Sequence, residues 1–486
     1  MFSSQHEPFV APEQSNLLQL QDQLLGKHFD HKHPHEDAGA STKLVDSLFA
    51  KEFSKLSVKE RLKTYDELHG VDECVEETPD LVENSLRQLD HEVSKIRRKY
   101  AYELAEHQNK EYVANPKFRI MFLRASGFHP GKAANWMVGY FEGILKYFGE
   151  SLLTKRIQYS DLDSDAQAYV KTGRSQMLPS RDQSGRVVLV GIGMFEDQSY
   201  MNPMSRLKAC VYVWLMLVED EENQKRGLVL LMFQMGSLDV GISSRTMARE
   251  LPRVLSWLPL RVCALHFCTE NDFVAFSFRA SVVAAPADVR ARHRCHNGTY
   301  TEIMYSLLGY GIPVDLIPTN DGVAIKKSNL NRWIAKNIAR DQNLEHGGTF
   351  SGVDLPTNHD VLMGKGKPYQ HHPGNAHLRV LVEAYMDEYH SARKSRDKMD
   401  IVYKVCSMIK ARSGRFLEKD DDGWWRESHD VDAVDKVTIL FRRTSKKEKP
   451  KRDKCALARP EVVADSASMF LQQGKRPRNE ANCCRK

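Results

Sequence analysis

Between Val187 and Pro318 the chain lays down four short apolar runs, and their spacing limits the fold more than any other feature. The runs are Val187 to Phe195, Leu228 to Met235, Val262 to Phe267 and the polar-flanked Val289 to Cys295. Each is too short for a helix, whereas the segments between them have helix length. A largely parallel sheet joined by right-handed crossover helices is the economical solution. No nucleophile, metal cluster or phosphate loop closes any of the four. Gly191-Ile192-Gly193 lacks the third glycine of a dinucleotide turn, so no cofactor is expected. No arrangement of His, Asp, Ser or Cys residues suggests an enzyme.

The length of 486 residues exceeds what one core usually serves, so two folded units with tails are expected. No apolar run approaches the ~20 residues of a membrane helix. The opening MFSSQHEPFVAPEQ has no basic and apolar leader pattern, and the nine cysteines follow no repeated spacing. Both point to reduced thiols in an intracellular protein. A net charge of +6 is modest for this size. Its placement is more telling, because Arg442 to Lys454 and Lys475 to Arg478 are basic runs of the kind that bind polyanions or direct nuclear import. A solvated tail is the alternative.

The composition divides the chain. Residues 1–40 are polar and aperiodic and are expected to be disordered; their cluster His28, His31, His33 and His35 has no cysteine partners, and no metal site is assigned. Residues 41–155 read as a helical bundle. Thr78 and Pro79 open a helix with Leu81, Val82, Leu86 and Leu89 on one face. Ala133, Trp136, Met137, Tyr140, Phe141, Ile144 and Phe148 stripe another after a break at Ser126 to Pro130. The sheet unit spans 156–340, a linker 341–354, a second unit 355–445 and a basic disordered tail 446–486. Within the second unit, Asp420-Asp421-Asp422-Gly423 between Phe416 and Trp424 signals a β-hairpin.

Several segments resemble a known family. Phe122-Leu123-Arg124-Ala125-Ser126-Gly127-Phe128 with Lys132-Ala133, Gly185-Arg186-Val187-Val188, Arg261 to Thr269, and Arg290 to Pro318 are similar, in order and spacing, to motifs of the CRAL-TRIO lipid-binding family. The resemblance covers about 117–331. It implies an α/β CRAL-TRIO-like sheet domain with an N-terminal helical bundle, in which the sheet floors a lipid pocket and a helix gates it. The expected ligand is a hydrophobic lipid, with transient contact to a membrane surface and no cofactor. Phe233, Met235, Phe267, Phe273, Phe276 and Phe278 are the candidate wall and gate residues, or else ordinary core. Arg290, Arg292, Arg294 and His296 are read as alternating on the fourth strand, where they would meet a headgroup phosphate or form the wet face of the sheet.

Residues 356–445 resemble an uncharacterised domain recurrent in diatom proteins, through Asp360-Val361-Leu362-Met363-Gly364-Lys365-Gly366-Lys367, His372-Pro373-Gly374-Asn375 and Gly414-Arg415-Phe416-Leu417. This adds a small α+β C-terminal domain, compatible with a winged-helix-like order of elements. Lys365 and Lys367 could hold an anion on a glycine-rich loop, or the loop is a tight structural turn. The expected function is non-enzymatic lipid binding and transfer in the cytoplasm, with residues 355–454 contacting a protein or nucleic acid. The alternative is a nuclear DNA-binding regulator acting through that C-terminal part.

Overall fold

The computed structural model describes residues 38–71, 74–193, 202–234, 250, 253–283, 290–320, 324–346, 352–421 and 423–456. The histidine cluster at 28–35, Met235 and the 475–478 basic run lie outside them.

Helices open the chain: α1 (Ala38–Lys55), α2 (Val58–His69), α3 (Pro79–Lys95), α4 (Tyr100–Gln108), α5 (Lys110–Ala114), α6 (Pro116–Ala125) and α7 (Pro130–Phe148). Their starts follow the side chains. Ser57 and Glu60 form a capping box on α2, and the Thr78 hydroxyl accepts from the Leu81 amide with Pro79 in the first turn of α3. Asn109 and Asn115 cap α5 and α6, which divides the region after α3 into short pieces. The joint before α7 uses left-handed backbone at Gly127 and Phe128, φ 66° and 59°. The apolar stripe of α7 packs against α3, α4 and α6 and continues into one core with the sheet.

After α8 (Ser164–Thr172) come β1 (Ser175–Met177) and β2 (Val187–Gly193), then α9 (Pro203–Val218), α10 (Glu221–Arg226), β3 (Leu228–Gln234) and β4 (Val262–Thr269). Next are α11 (Asp272–Val282), β5 (His293–Asn297) and α12 (Tyr300–Leu308). The sheet order is β1-β2-β3-β4-β5, with β1 antiparallel and the rest parallel. The four apolar runs are therefore the four parallel strands. One boundary differs: the fourth strand starts at His293 rather than Val289, because pairing begins where the Leu265 amide donates to Arg292 O, and Arg290 still belongs to a helical turn. Arg290 and Arg292 thus precede the strand instead of alternating along it.

Both faces of the sheet are buried. Val187, Leu189, Leu228, Leu230 and Leu265 lie on a first face beneath α9 and the bundle. Val188, Val190, Ile192, Val229, Leu231 and Phe233 lie on the second, beneath Ile303 and Leu307 of α12 and Leu68 of α2. The short ribbon β6 (Thr319–Asn320) and β7 (Ala324–Ile325) leads to α13 (Ser328–Glu345), whose Leu330, Trp333 and Ile334 rejoin the first-face core.

The C-terminal unit comprises β8 (Val361–Leu362), α14 (Lys367–His371), α15 (Pro373–Ala384), α16 (Met386–Ser391), α17 (Ser395–Ala411), β9 (Phe416–Lys419), β10 (Trp425–Glu427) and α18 (Asp430–Ala456). Its sheet order is β10-β9-β8 around a separate core. The expected hairpin is β9–β10, but β8 joins β9 in parallel, so the sheet is not an all-antiparallel wing. Two boundaries also move. Val353 bridges Trp425 and Leu355 enters the sheet domain's core, so the 341–354 segment is stitched to both units; α18 runs on to Ala456, past residue 445.

Gly143 sits where a Cβ would run into the ring of Trp257. Replacing Gly143 with Ala should cost about 1–3 kcal/mol through overpacking. A lower midpoint of urea denaturation, followed by tryptophan fluorescence, checks this.

Candidate functional site

Strand alternation sorts the aromatic candidates into two groups. In the β3–β4 register Met232 stands opposite Phe267, and Phe233 opposite Cys268. Phe233 therefore lies on the second face and Phe267 on the first, and the two cannot share a pocket wall. Phe267 stacks on Phe278 of α11, with ring centroids 3.6 Å apart and planes 8° from parallel. Met232 lies partly buried beside them on the same face; it was missed because its place depends on register. Phe276 turns the other way, into a cluster with Val45 of α1, Ala280 and Val283 that is separate from the main core. The side chain of Phe273 lies outside the described residues, as does Met235. The wall that is assembled is Met232, Phe267 and Phe278.

The four headgroup candidates have protein partners. The Arg290 guanidinium donates to Val283 O at 3.0 Å, and Arg294 donates to Ala291 O and His293 O at 3.2 and 2.7 Å. Arg292 pairs with the carboxylate of Glu67. His296 Nε2 lies 2.9 Å from His266 Nδ1, and the two rings stack. Burial holds all three nearby imidazoles in the neutral form. His266 falls well below its usual range, with His296 and Arg186 adding to the effect; His293 drops to about 3 and His296 to about 4, both with help from Arg294. Among the described residues, His266 Nε2 and His293 Nε2 are buried with no hydrogen-bond partner.

A polar cluster that the sequence reading did not single out lies at the amino ends of the parallel strands. Arg186, Arg261 and Arg292 each immediately precede a strand, and Arg226 stands two residues before β3. Arg186 Nε donates to Asp182 Oδ2 at 2.7 Å, Arg226 pairs with Glu222, and Arg261 and Arg292 flank Glu67, which is 2% exposed. The sequence signal was an arginine at the head of every apolar run, but only parallel topology brings the four to one edge.

In the C-terminal unit the motifs meet at one buried carboxylate. Asp360 is fully buried; it accepts from the Arg415 amide at 2.9 Å and takes the Arg415 guanidinium in a two-point bond at 3.1 and 2.8 Å. Backbone beside it passes so close to Gly374 and Gly414 that a Cβ at either position would strike it. Asn375 bonds both the amide and the carbonyl of Leu362, at 2.7 and 3.0 Å. These motif residues hold the fold together. The glycine loop fits the structural turn: a Cβ on Gly364 would meet the ring of Tyr369, and Lys365 is exposed. The Lys367 side chain is outside the described residues. Three of the four basic side chains on α17 are engaged inside the unit. Lys410 pairs with Asp430, Lys404 with Glu388, and Lys398 lies over Tyr389. The hairpin's Trp424 is buried beneath Lys336 of α13, whose Nζ is 3.9 Å from the ring centroid.

Among the described residues no group of three or more His, Cys, Asp or Glu side chains could hold a metal ion, and no helix is long and apolar enough to cross a membrane. Residues 360–443 match the family model described as a domain of unknown function (DUF6824). This match falls inside the C-terminal unit and agrees with an uncharacterised domain there; no CRAL-TRIO match is found. No curated protein matches the chain. What stands is a mixed α/β domain with a five-stranded sheet, followed by a small α+β unit of unassigned function.

Two outcomes follow from these geometries. Replacing Asp360 with Ala should destabilise the C-terminal unit by about 3 kcal/mol, at the low end for a broken buried pair because Arg415 reaches solvent; a red shift of tryptophan emission at reduced urea concentration would report it. The depressed imidazoles make the unfolded chain the better proton acceptor below its ordinary histidine range. Their contribution is therefore complete above about pH 6.5 and is lost as the pH falls toward 4. Urea midpoints across that window should fall, and His296→Gln should flatten the fall.

Proposed function

We propose that the chain is a non-enzymatic lipid-binding protein that carries an apolar ligand on the first face of its sheet, between Met232, Phe267 and α11. The observation that carries this reading is the Phe267–Phe278 stack on a helix with two apolar sides. Phe278 faces the sheet, while Phe276, Ala280 and Val283 rest on α1 in a cluster of their own. Displacing such a helix would uncover Phe267 and Met232, and Phe278 then marks the place an acyl chain would take. The resemblance of residues 117–331 to CRAL-TRIO proteins supports the same assignment, with α11 as gate. The energetics favour such a device: each buried methylene is worth about 0.8 kcal/mol in a protein, and nearly as much in a bilayer. Only a dry wall that matches the membrane lets a lipid leave it. Such a protein would touch membranes transiently and work in the cytoplasm.

The C-terminal unit would then position the carrier by contacting a protein or a polyanion. A second reading, a nuclear DNA-binding regulator, draws on the continuation of α18 through the basic run 442–454. Binding of the full chain to duplex DNA across a salt series separates them, since five phosphate contacts give a log-log slope near about −4.5 and none gives a flat response.

Native mass spectrometry of the full chain purified from cells should show a lipid-sized adduct, and the protein should move that lipid between vesicles. Phe278→Asp should lower occupancy about tenfold or more, equivalent to about 1.4 kcal/mol. Phe233→Leu, on the opposite face, should leave it unchanged. A bare protein mass together with no transfer would overturn the proposal.

A further inference from the structure

Parallel strands present their amino ends together, and here that edge carries four guanidiniums: Arg186, Arg226, Arg261 and Arg292. The first three line a small cleft, shared with Glu67 and Ser184, that has room for about one water molecule while Glu67 is in place. Arg292 closes on Glu67 from the neighbouring strand. Among the described residues, Asp182, Glu222 and Glu67 pair with the four cations. Asp182 and Glu222 each belong to the same local segment as the arginine they pair with, four residues away. Glu67 comes from elsewhere in the chain, from α2, and pairs with both Arg261 and Arg292.

Helix α2 is held at its last turn: Leu68 packs into the second-face core, the Arg186 guanidinium donates to Glu67 O and Leu68 O, and Ser184 donates to His69 O. Of its residues only Thr64, Glu67 and Leu68 are buried, while Val58, Leu62 and Tyr65 are 70%, 58% and 57% exposed. It turns Glu67 inward beside Leu68, while Val58, Leu62 and Tyr65 face outward among Lys59, Glu60, Arg61 and Lys63. Beside Leu68, the anchor is a set of arginine contacts at one turn, in which Arg186 holds the last carbonyls and Arg261 and Arg292 the carboxylate, and the Arg261 contact to Glu67 is long at 3.4 Å. A phosphate offers more charge and more acceptor oxygens to the same guanidiniums than one carboxylate does.

We propose that this arginine edge is a binding site for a phosphate monoester, and that Glu67 is its built-in competitor: phosphate binding displaces Glu67 and releases α2. The site also touches the C-terminal unit, since Arg226 Nη2 lies 3.5 Å from His359 Nε2 and Asn358 donates to Asp182 O and Gln183 O. Neither the lipid-binding reading nor a gate motion of α11 is needed for it.

The test uses the full chain with inorganic phosphate as probe, read by calorimetry and by hydrogen exchange of residues 58–70. Phosphate should speed exchange in that segment of the wild type, and Glu67→Gln should tighten phosphate binding about tenfold, equivalent to about 1.4 kcal/mol. Adding Arg292→Gln to that variant should remove the gain. Phosphatidylcholine vesicles carrying phosphatidic acid, compared with vesicles of equal charge carrying phosphatidylserine, identify the source. Preferential recruitment of the Glu67→Gln protein to phosphatidic acid assigns a lipid headgroup, and response to inorganic phosphate alone assigns a free phosphate. If Glu67→Gln binds phosphate no better than wild type, Glu67 is an ordinary buried ion pair and the proposal fails. Should that variant not fold, unchanged exchange of 58–70 in wild-type protein at saturating phosphate overturns it equally.

Discussion

Three adjacent parallel strands, β2, β3 and β4, are made almost wholly of apolar residues and cannot show either face to water, and the rest of the molecule follows from covering them. The first face takes α9, buried along most of its length, together with the striped helix α7 and its bundle. The second takes α12 and one turn of α2. The bundle is therefore no independent domain beside a sheet. It supplies the apolar surface that the sheet requires, and it would be left with an exposed stripe if the sheet were removed.

The polar chemistry collects where the strands end. At the amino edge each strand is led in by arginine, balanced by carboxylates from neighbouring turns and from α2. Along β4 and β5 three imidazoles are buried and held neutral. On the first face, the Phe267–Phe278 stack places an aromatic helix over the sheet where a greasy ligand would lie. A charged edge and an apolar wall on one sheet suit a molecule with an anionic end and a hydrocarbon body. They also allow the two properties to serve separate ligands.

The strands were legible because an apolar run of strand length is a strong local signal. What escaped depended on pairing. Strand β1, only Ser175–Met177, has no apolar run of its own and exists through its bonds to β2. Phe233 and Phe267 look equivalent in sequence, and only the register sends them to opposite faces and brings Met232 into the wall. Arg290 and Arg292 seemed to alternate with Arg294 and His296, yet the strand begins after them. In the C-terminal unit the motifs were recognisable as motifs, but their meaning lay in distances: Asp360 and Arg415 are far apart in sequence and joined in space. The lysines of α17, Lys398, Lys404 and Lys410, likewise find partners inside the unit that their spacing alone does not show.

In the proposed lipid carrier the first face of the sheet under α11 receives a hydrocarbon chain. Photocrosslinking with a phospholipid carrying a diazirine in its acyl chain, followed by peptide mapping, tests it most directly. The claim requires label on the peptides that carry Met232, Phe267 and Phe278, removed by an excess of unlabelled lipid. Label confined to other surfaces, or label on those peptides that unlabelled lipid does not displace, would contradict it.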